Sequence, residues 1–261
     1  MTPARLAVAT ARASHWLFRR AFPLYAILYD AYKRVGERGD IAVVRQFVRA
    51  GDVAVDVGAN VGFYTRILAR CVGPSGRVYA FEPAPENFAR LDRRTRHLRQ
   101  VRPVHAAVAA QSAPVELYLA ANLNVDHRTY ASDEPRARVT VDGVALDDVV
   151  RDEPRPVGFI KMDIQGAEHA ALLGMRDTLG RSPDVKILME LWPAVHDRFG
   201  QGTVALLEVL NGWGFVVRPV DRQGSLGAPL TPATVRAGGD DPNFYYSVLC
   251  VRATGCDAQR P

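Results

Sequence analysis

Two kinds of hydrophobic pattern take turns along this chain. Short, nearly solid runs of β-branched and aliphatic residues alternate with longer stretches in which apolar residues recur every three or four places. The first kind predicts strands buried on both faces, and the second predicts amphipathic helices packed on them. Strands are expected at Val53–Val57, Arg77–Phe81, Val101–Ala109, Gly158–Asp163, Val185–Leu191, Phe215–Val220 and Tyr245–Arg252. Helices are expected over Arg38–Arg49, Phe63–Cys71, Pro85–Leu98, after Gly166 and over Thr203–Trp213. Strands that alternate with helices over most of a chain predict an α/β fold with a doubly wound, mainly parallel sheet and helices on both faces. One region departs from this rhythm. Val115–Leu119 and Arg138–Val141 alternate like a small antiparallel pair around a polar loop at about 120–138, which we expect to act as a lid carrying acceptor-recognition residues.

The stretch 53-VAVDVGANVGFYT-65 joins a buried strand to a helix through a glycine turn. That arrangement is expected to point free backbone N–H groups and a positive helix end at a ligand. A dinucleotide fingerprint needs G-x-G-x-x-G, but here Asn60 and Phe63 stand where the second and third glycines belong. Glu82, at the end of the next strand, is placed to accept both hydroxyls of a ribose, a feature that NAD and S-adenosylmethionine sites share. The D-x-G-x-N-x-G form, followed by Glu82-Pro83, favours S-adenosylmethionine over NAD.

Three ordered motifs, DVGANVGFYT, 81-FEP-83 and 161-KMDIQGAEHAALLG-174, together resemble the FkbM-type methyltransferases over about residues 41–199, with a weaker tail to Arg252. The resemblance implies a class I methyltransferase fold of seven strands, mainly parallel with one antiparallel. It implies O-methylation of hydroxyls on sugars, polyketides or other secondary metabolites, with S-adenosyl-L-methionine as donor and S-adenosyl-L-homocysteine as product. Carried over position by position, Asp56, Gly58, Asn60, Gly62 and Thr65 match the first cofactor motif and Glu82 the ribose acceptor. Asp163 and Gly166–Glu168 match D-x-x-G-A-E, and Gln165 stands where a glutamate is common.

Asp56, Glu82, Asp163 and Glu190 all fall at predicted carboxyl ends of strands and are expected to ring one crevice. An alcohol is a poor nucleophile, so a base must take its proton. The candidates are Asp163, His127 in the polar loop and His196, with Asp163 and His127 preferred by location. His105 is placed where it could stack on adenine, or serve as a structural histidine. Asp163 and Glu190 alone are too few for a metal site, so no divalent metal is expected. The competing functions are an NAD-dependent oxidoreductase, an N-methyltransferase acting on an amine, and an inactive methyltransferase-like scaffold.

Composition bounds the rest. With 261 residues, 48% of them hydrophobic, the chain can bury one large core, expected at 41–252 between an N-terminal helical extension (1–40) and a short tail (253–261). The net charge is +5, and Lys33, Lys161 and Lys186 are the only lysines. That arginine preference reads as genome base composition, and no basic stripe with interleaved aromatics suggests nucleic acid. Cys71, Cys250 and Cys256 show neither metal spacing nor even pairing, which points to a reducing compartment, the cytoplasm. The longest uncharged run near the N-terminus, Ala21–Tyr29, is far below the ~20 residues that span a bilayer. The favoured reading of residues 1–35 is a pair of helices packed on the domain or capping the substrate cleft; contact with a membrane surface is the alternative. Oligomeric state stays open.

Overall fold

A computed structural model of the chain describes residues 14–120, 127–129, 136–199, 202–236 and 245–253. The polar loop at 120–138 therefore lies largely outside the described residues, as does the tail beyond residue 253. The chain opens with helix α1 (residues 14–20), α2 (Phe22–Gly36) and α3 (Arg38–Phe47), and then enters the sheet.

Seven strands form one sheet in the order β3-β2-β1-β7-β8-β10-β9. They are β1 (Val53–Val57), β2 (Arg77–Phe81), β3 (Val101–Val104), β7 (Val157–Met162), β8 (Lys186–Leu191), β9 (Phe215–Pro219) and β10 (Tyr246–Arg252). All pairings are parallel except those of β10, which runs antiparallel between β8 and β9. This is the class I methyltransferase arrangement. Strand order reverses direction at β1, so the carboxyl ends of β1, β2, β7 and β8 open onto the crevice at the switch point.

Period-two burial divides the core. Val53, Val55, Val57, Ile160, Met162, Ile187 and Met189 fill one face of the sheet, under α10 (Thr203–Gly212). Ala54, Phe159, Leu188 and Leu249 fill the other, under α3 and α4 (Phe63–Val72). The second face matters for function. Two residues further toward the crevice, the same alternation delivers Asp56, Lys161 and Glu190 to that face, with Asp163 just past the end of β7 and Ser247 on β10.

One expected strand is two. The run 101–109 breaks at His105–Ala106, where the Ala106 N–H turns back onto the Val104 carbonyl at 3.0 Å. After that turn β4 (Ala107–Val108) leaves the main sheet and joins β5 (Ala113–Leu119) and β6 (Ala137–Val144) in a three-stranded sheet of order β4-β6-β5. The expected antiparallel pair is present within it, in the register Val115↔Val141 and Leu117↔Val139. This small sheet walls the crevice on the β2 side with Ala107, Val108 and Leu117.

Candidate active site

The turn after β1 is set by sterics. Gly58 has φ +80°, and a Cβ there would stand 2.1 Å from the Asp163 carbonyl oxygen, so β1 and the end of β7 can approach only through glycine. Asn60 also adopts a left-handed conformation, φ 50°. An asparagine tolerates it because its own Oδ1 accepts the Val61 N–H at 2.7 Å.

The N–H groups of this turn find partners inside the protein. Gly58 and Ala59 donate to the Phe81 carbonyl at 3.0 and 2.8 Å, and Gly62 donates to Ala59. Asn60 donates to Glu82 Oε2 at 2.8 Å. The Thr65 hydroxyl donates to Asp56 Oδ2 at 2.5 Å, so the first turn of α4 rests on a buried carboxylate. The expectation of free N–H groups aimed at a ligand is thereby corrected for residues 58–62: the turn satisfies itself, because the Phe81 carbonyl, its own Ala59 carbonyl and Asn60 side chain, and the Glu82 carboxylate lie within reach. It offers no ready cradle for a pyrophosphate, and what it does instead is hold Glu82 and Asp56 in place.

Glu82 Oε1 accepts a second backbone N–H, from Ala84, at 2.8 Å. Burial pushes its carboxyl up to about 7 against the two backbone donors, and pushes Asp56 up to about 6 against the Thr65 hydroxyl. Because a carboxylate has about four acceptor sites, Glu82 keeps capacity toward the cavity.

At the β7–β8 side stands a denser cluster that sequence reasoning saw only in part. Lys161 is buried, 1% exposed, with its ammonium 5.1 Å from the centroid of the Tyr64 ring. Lys33, from α2, lies 5.9 Å from the same ring and pairs with Glu37. Asp40 accepts a hydrogen bond from Ser247, the residue opposite Glu190 in the sheet. Burial opposes the charge on Lys161, but Asp163, Asp40 and Glu190 outweigh it and keep the lysine firmly protonated. Asp163 would be raised by burial, yet Lys161, Lys33 and the Gln165 amide hold it below the usual carboxylate range. The Gln165 amide donates to Asp163 Oδ1 at 2.8 Å, so the amide that replaces a carboxylate in the motif supports Asp163 directly. Burial and the Asp163 charge push Glu190 up to about 8 despite the two lysines.

Tyr64, Lys161, Asp163, Gln165 and Glu190 share one cavity of about 530 Å³ with Tyr29, Tyr32 and Lys33 of α2 and Glu37, which caps that helix. Asp56, Gly58, Asn60, Glu82, Asp163, Glu190 and His127 line it; Gly62 and Thr65 stand behind it as supports. His127 Nδ1 accepts the Ala120 N–H at 3.1 Å, which leaves the proton of the neutral ring on Nε2. His105 does not reach the cavity. It stacks on Phe88 at 4.5 Å, with Nε2 3.1 Å from the Pro83 carbonyl oxygen. His196 is likewise elsewhere, 2.8 Å from Glu168 Oε2. Burial lowers this histidine to about 4 and raises Glu168 to about 7, disfavouring charge on both partners. The pair ties α7 (Glu168–Leu173) to α9 (Pro193–Phe199).

The signal for Lys161 was in the sequence: one of three lysines, in an otherwise apolar strand, two residues before Asp163. Lys33, Glu37 and Tyr64 carry no such mark, because only packing brings them to the crevice. Among the described residues, no group of three or more His, Cys, Asp or Glu side chains is arranged to hold a metal ion.

A model of the methyltransferase FkbM domain matches residues 56–217, well over half of the chain. The protein belongs to the FkbM methyltransferase family. As a family member it is an S-adenosylmethionine-dependent methyltransferase rather than an NAD-dependent oxidoreductase, in accord with the self-satisfied turn. The methyltransferase is 29% identical over 202 residues to 31-O-demethyl-FK506 methyltransferase FkbM of Streptomyces tacrolimicus, a match spanning 65% of this chain and 75% of that one. It is 28% identical over 150 residues to hexuronic acid methyltransferase AglP of Haloferax volcanii, spanning 55% of this chain and 58% of the other. Among solved structures, Aeropyrum pernix fibrillarin with natively bound S-adenosyl-L-methionine superposes with a TM-score of 0.46 at 16% identity, covering 78% of this chain and 68% of that one.

Proposed function

We propose that this methyltransferase methylates a hydroxyl of a small molecule, sugar or glycan, with a carboxylate on the sheet edge as proton acceptor. The observation that carries the reading is the pair Asp163 and Glu190, at the ends of neighbouring parallel strands and facing the cavity that Glu82 also lines. The activities for which the two relatives are named, on a demethylated oxygen of FK506 and on a hexuronic acid, support an oxygen-bearing acceptor.

The donor set suits S-adenosylmethionine. Glu82 would accept from the ribose hydroxyls, with Asn60, Gly58 and the Asp56–Thr65–Gly62 support fixing its place. Val108, Ala106 and Leu117 would flank the base, and Asp163, held ionised, would face the cationic end. When bound, S-adenosylmethionine supplies an electrophilic methyl and leaves as S-adenosylhomocysteine. The protein's own work is alignment and proton removal. Glu190, with a carboxyl tuned close to neutral pH, takes the proton of the acceptor hydroxyl; Lys161 and Asp163 fix its surroundings. His127, on the cavity wall, would contact the acceptor. The unpaired cysteines Cys71 and Cys250 support a reducing compartment, the cytoplasm.

Glu190→Gln tests this assignment. Turnover on a hydroxyl acceptor is expected to fall by about 10²–10⁴-fold while the calorimetric affinity for S-adenosylmethionine stays the same. Undiminished turnover would remove Glu190 as base. A panel of hydroxyl and amine acceptors read by mass spectrometry tests the reaction class, and methylation of amines alone would overturn it.

A further inference from the structure

Eight large hydrophobic side chains are exposed among the described residues, and six of them, Trp16, Leu24, Ile27, Leu28, Tyr32 and Val35, belong to α1 and α2. Single exposed apolar residues are ordinary, but a gathered set marks an interaction surface. On α2 the positions 24, 27, 28, 31 and 35 fall at helical spacing on one side, as a stripe of Leu, Ile, Leu, Ala and Val. Phe22, Tyr25 and Tyr29 occupy the opposite side and stack into the domain. The helix is thus apolar on two faces, one of which is uncovered: Ile27 is 67% and Val35 77% exposed.

The charges around that stripe choose its partner. Arg19, Arg20, Arg34 and Arg38 are exposed at its two ends. The one acid of the two helices and the one that caps α2 turn away from it: Asp30 is held by Arg66 at 2.8 Å and Arg94 at 2.7 Å, and Glu37 by Lys33. Among the described residues, Arg19 alone of these four shares an outward carboxylate, Glu86, at 3.3 Å. The sequence ahead of α1 adds Arg5 and Arg12 and no acid. A second copy packed on this stripe would bring arginine ends together without acids between them. An anionic surface meets no such opposition, and exposed Trp16 and Tyr32 suit the headgroup level of a bilayer.

We propose that α1 and α2 dock the protein on an anionic lipid bilayer, with the Leu24–Val35 stripe at the headgroup boundary and the arginines on lipid charges. Tyr32 lies on this exposed side and also lines the cavity, so docking sets the cavity mouth against the membrane. The hydroxyl to be methylated is then carried by an amphiphile held in that bilayer. This second step rests on the methyl-transfer reading; docking itself does not.

The test is co-sedimentation of the whole chain with phosphatidylcholine vesicles and with vesicles that also contain phosphatidylglycerol. The protein is expected to partition onto the anionic vesicles and to be released by high salt. Ile27→Asp with Leu28→Asp is expected to lower partitioning at least ~10-fold, and Arg20→Ala or Arg34→Ala about fivefold each. Leu24→Ser with Val35→Ser reads the ends of the stripe independently. All these side chains point outward, so melting temperature and heat of S-adenosylmethionine binding are expected to be unchanged. Failure of the wild type to bind anionic vesicles overturns the proposal, as does equal binding by the stripe variants. A dimer in light scattering that Ile27→Asp with Leu28→Asp dissolves would assign the stripe to a second copy and overturn it too. Cofactor heat without vesicle binding would sink the docking alone and leave the methyl-transfer reading standing.

Discussion

Glu82 accepts backbone N–H groups on both of its oxygens and faces the cavity, so its charge and its orientation serve different ends. Glu82→Gln keeps the shape but turns an NH₂ toward one of those N–H donors. We expect the Kd for S-adenosylmethionine to rise about 10–100-fold by calorimetry, the worth of a lost charge-assisted hydrogen bond. Glu190 governs a different observable. A base must be unprotonated, and burial beside Asp163 puts this carboxyl at about 8. Hence kcat/KM is expected to rise with pH until about 8 and then level off, whereas the profile of Glu190→Gln is flat on that limb. A limb below the ordinary carboxylate range in the wild type would point to Asp163 instead, which the lysines hold low.

At the scale of elements, α1 and α2 brace the turn that holds the site. Phe18, Phe22 and Tyr25 pack against Val61, the residue between Asn60 and Gly62. Their rings meet at 5.8, 5.3 and 6.0 Å, and the ladder continues through Tyr29 to Phe63 on α4. Arg94 of α5 (Pro85–Thr95) ties the same two parts by donating to the Val61 carbonyl at 3.0 Å and to Asp30 at 2.7 Å. Removing one ring should therefore unsettle both helices and site. Tyr25→Ala is expected to cost about 3–4 kcal/mol in chemical denaturation and to weaken cofactor binding as well. Loss of stability with unaltered cofactor affinity would mean that the brace does not reach the turn.

Over the whole molecule, buried carboxyls set how stability responds to pH. Asp56, Glu82, Glu168 and Glu190 are raised by burial to about 6, 7, 7 and 8. Above the pKa of the unfolded chain, the folded protein keeps protons that the unfolded chain has released, so stability falls as pH rises toward those values. His196 acts in reverse. Lowered to about 4, it weakens the fold as acid protonates the unfolded chain. Asp163, held below its ordinary range, does the same at lower pH. The ligand-free protein is therefore expected to melt several degrees higher at about pH 5 than at about pH 8.5 in calorimetry. Saturating S-adenosylmethionine should shrink the alkaline loss, because a bound cation favours the ionised carboxylates. A melting temperature that climbs steadily to alkaline pH would show that these groups are not buried as described.

How much of this was legible in sequence differs by kind of interaction. The main strands, the glycine turn and the acids at strand ends are local. Period-two burial announces a buried strand, a Gly58 that must approach Asp163 excludes any side chain, and parallel strands deliver their ends to one edge. These the chain specifies by itself, together with the methyltransferase motifs. The break after β3 was not legible, because the run of apolar residues carries through a turn made by a single backbone hydrogen bond. Nor was the use of the turn's N–H groups, which depends on the Phe81 carbonyl at the end of β2 and the Glu82 carboxylate just past it. The roles of the three histidines were equally hidden: which of them enters the crevice is a matter of where distant segments pack. Only the tertiary structure decided that Lys33 and Glu37, far earlier in the chain, meet Lys161, Asp163 and Glu190 in one low-dielectric cluster. The physical reason is that a pKa or a cavity wall belongs to neighbours in space, and one chain read alone orders its residues only along its length.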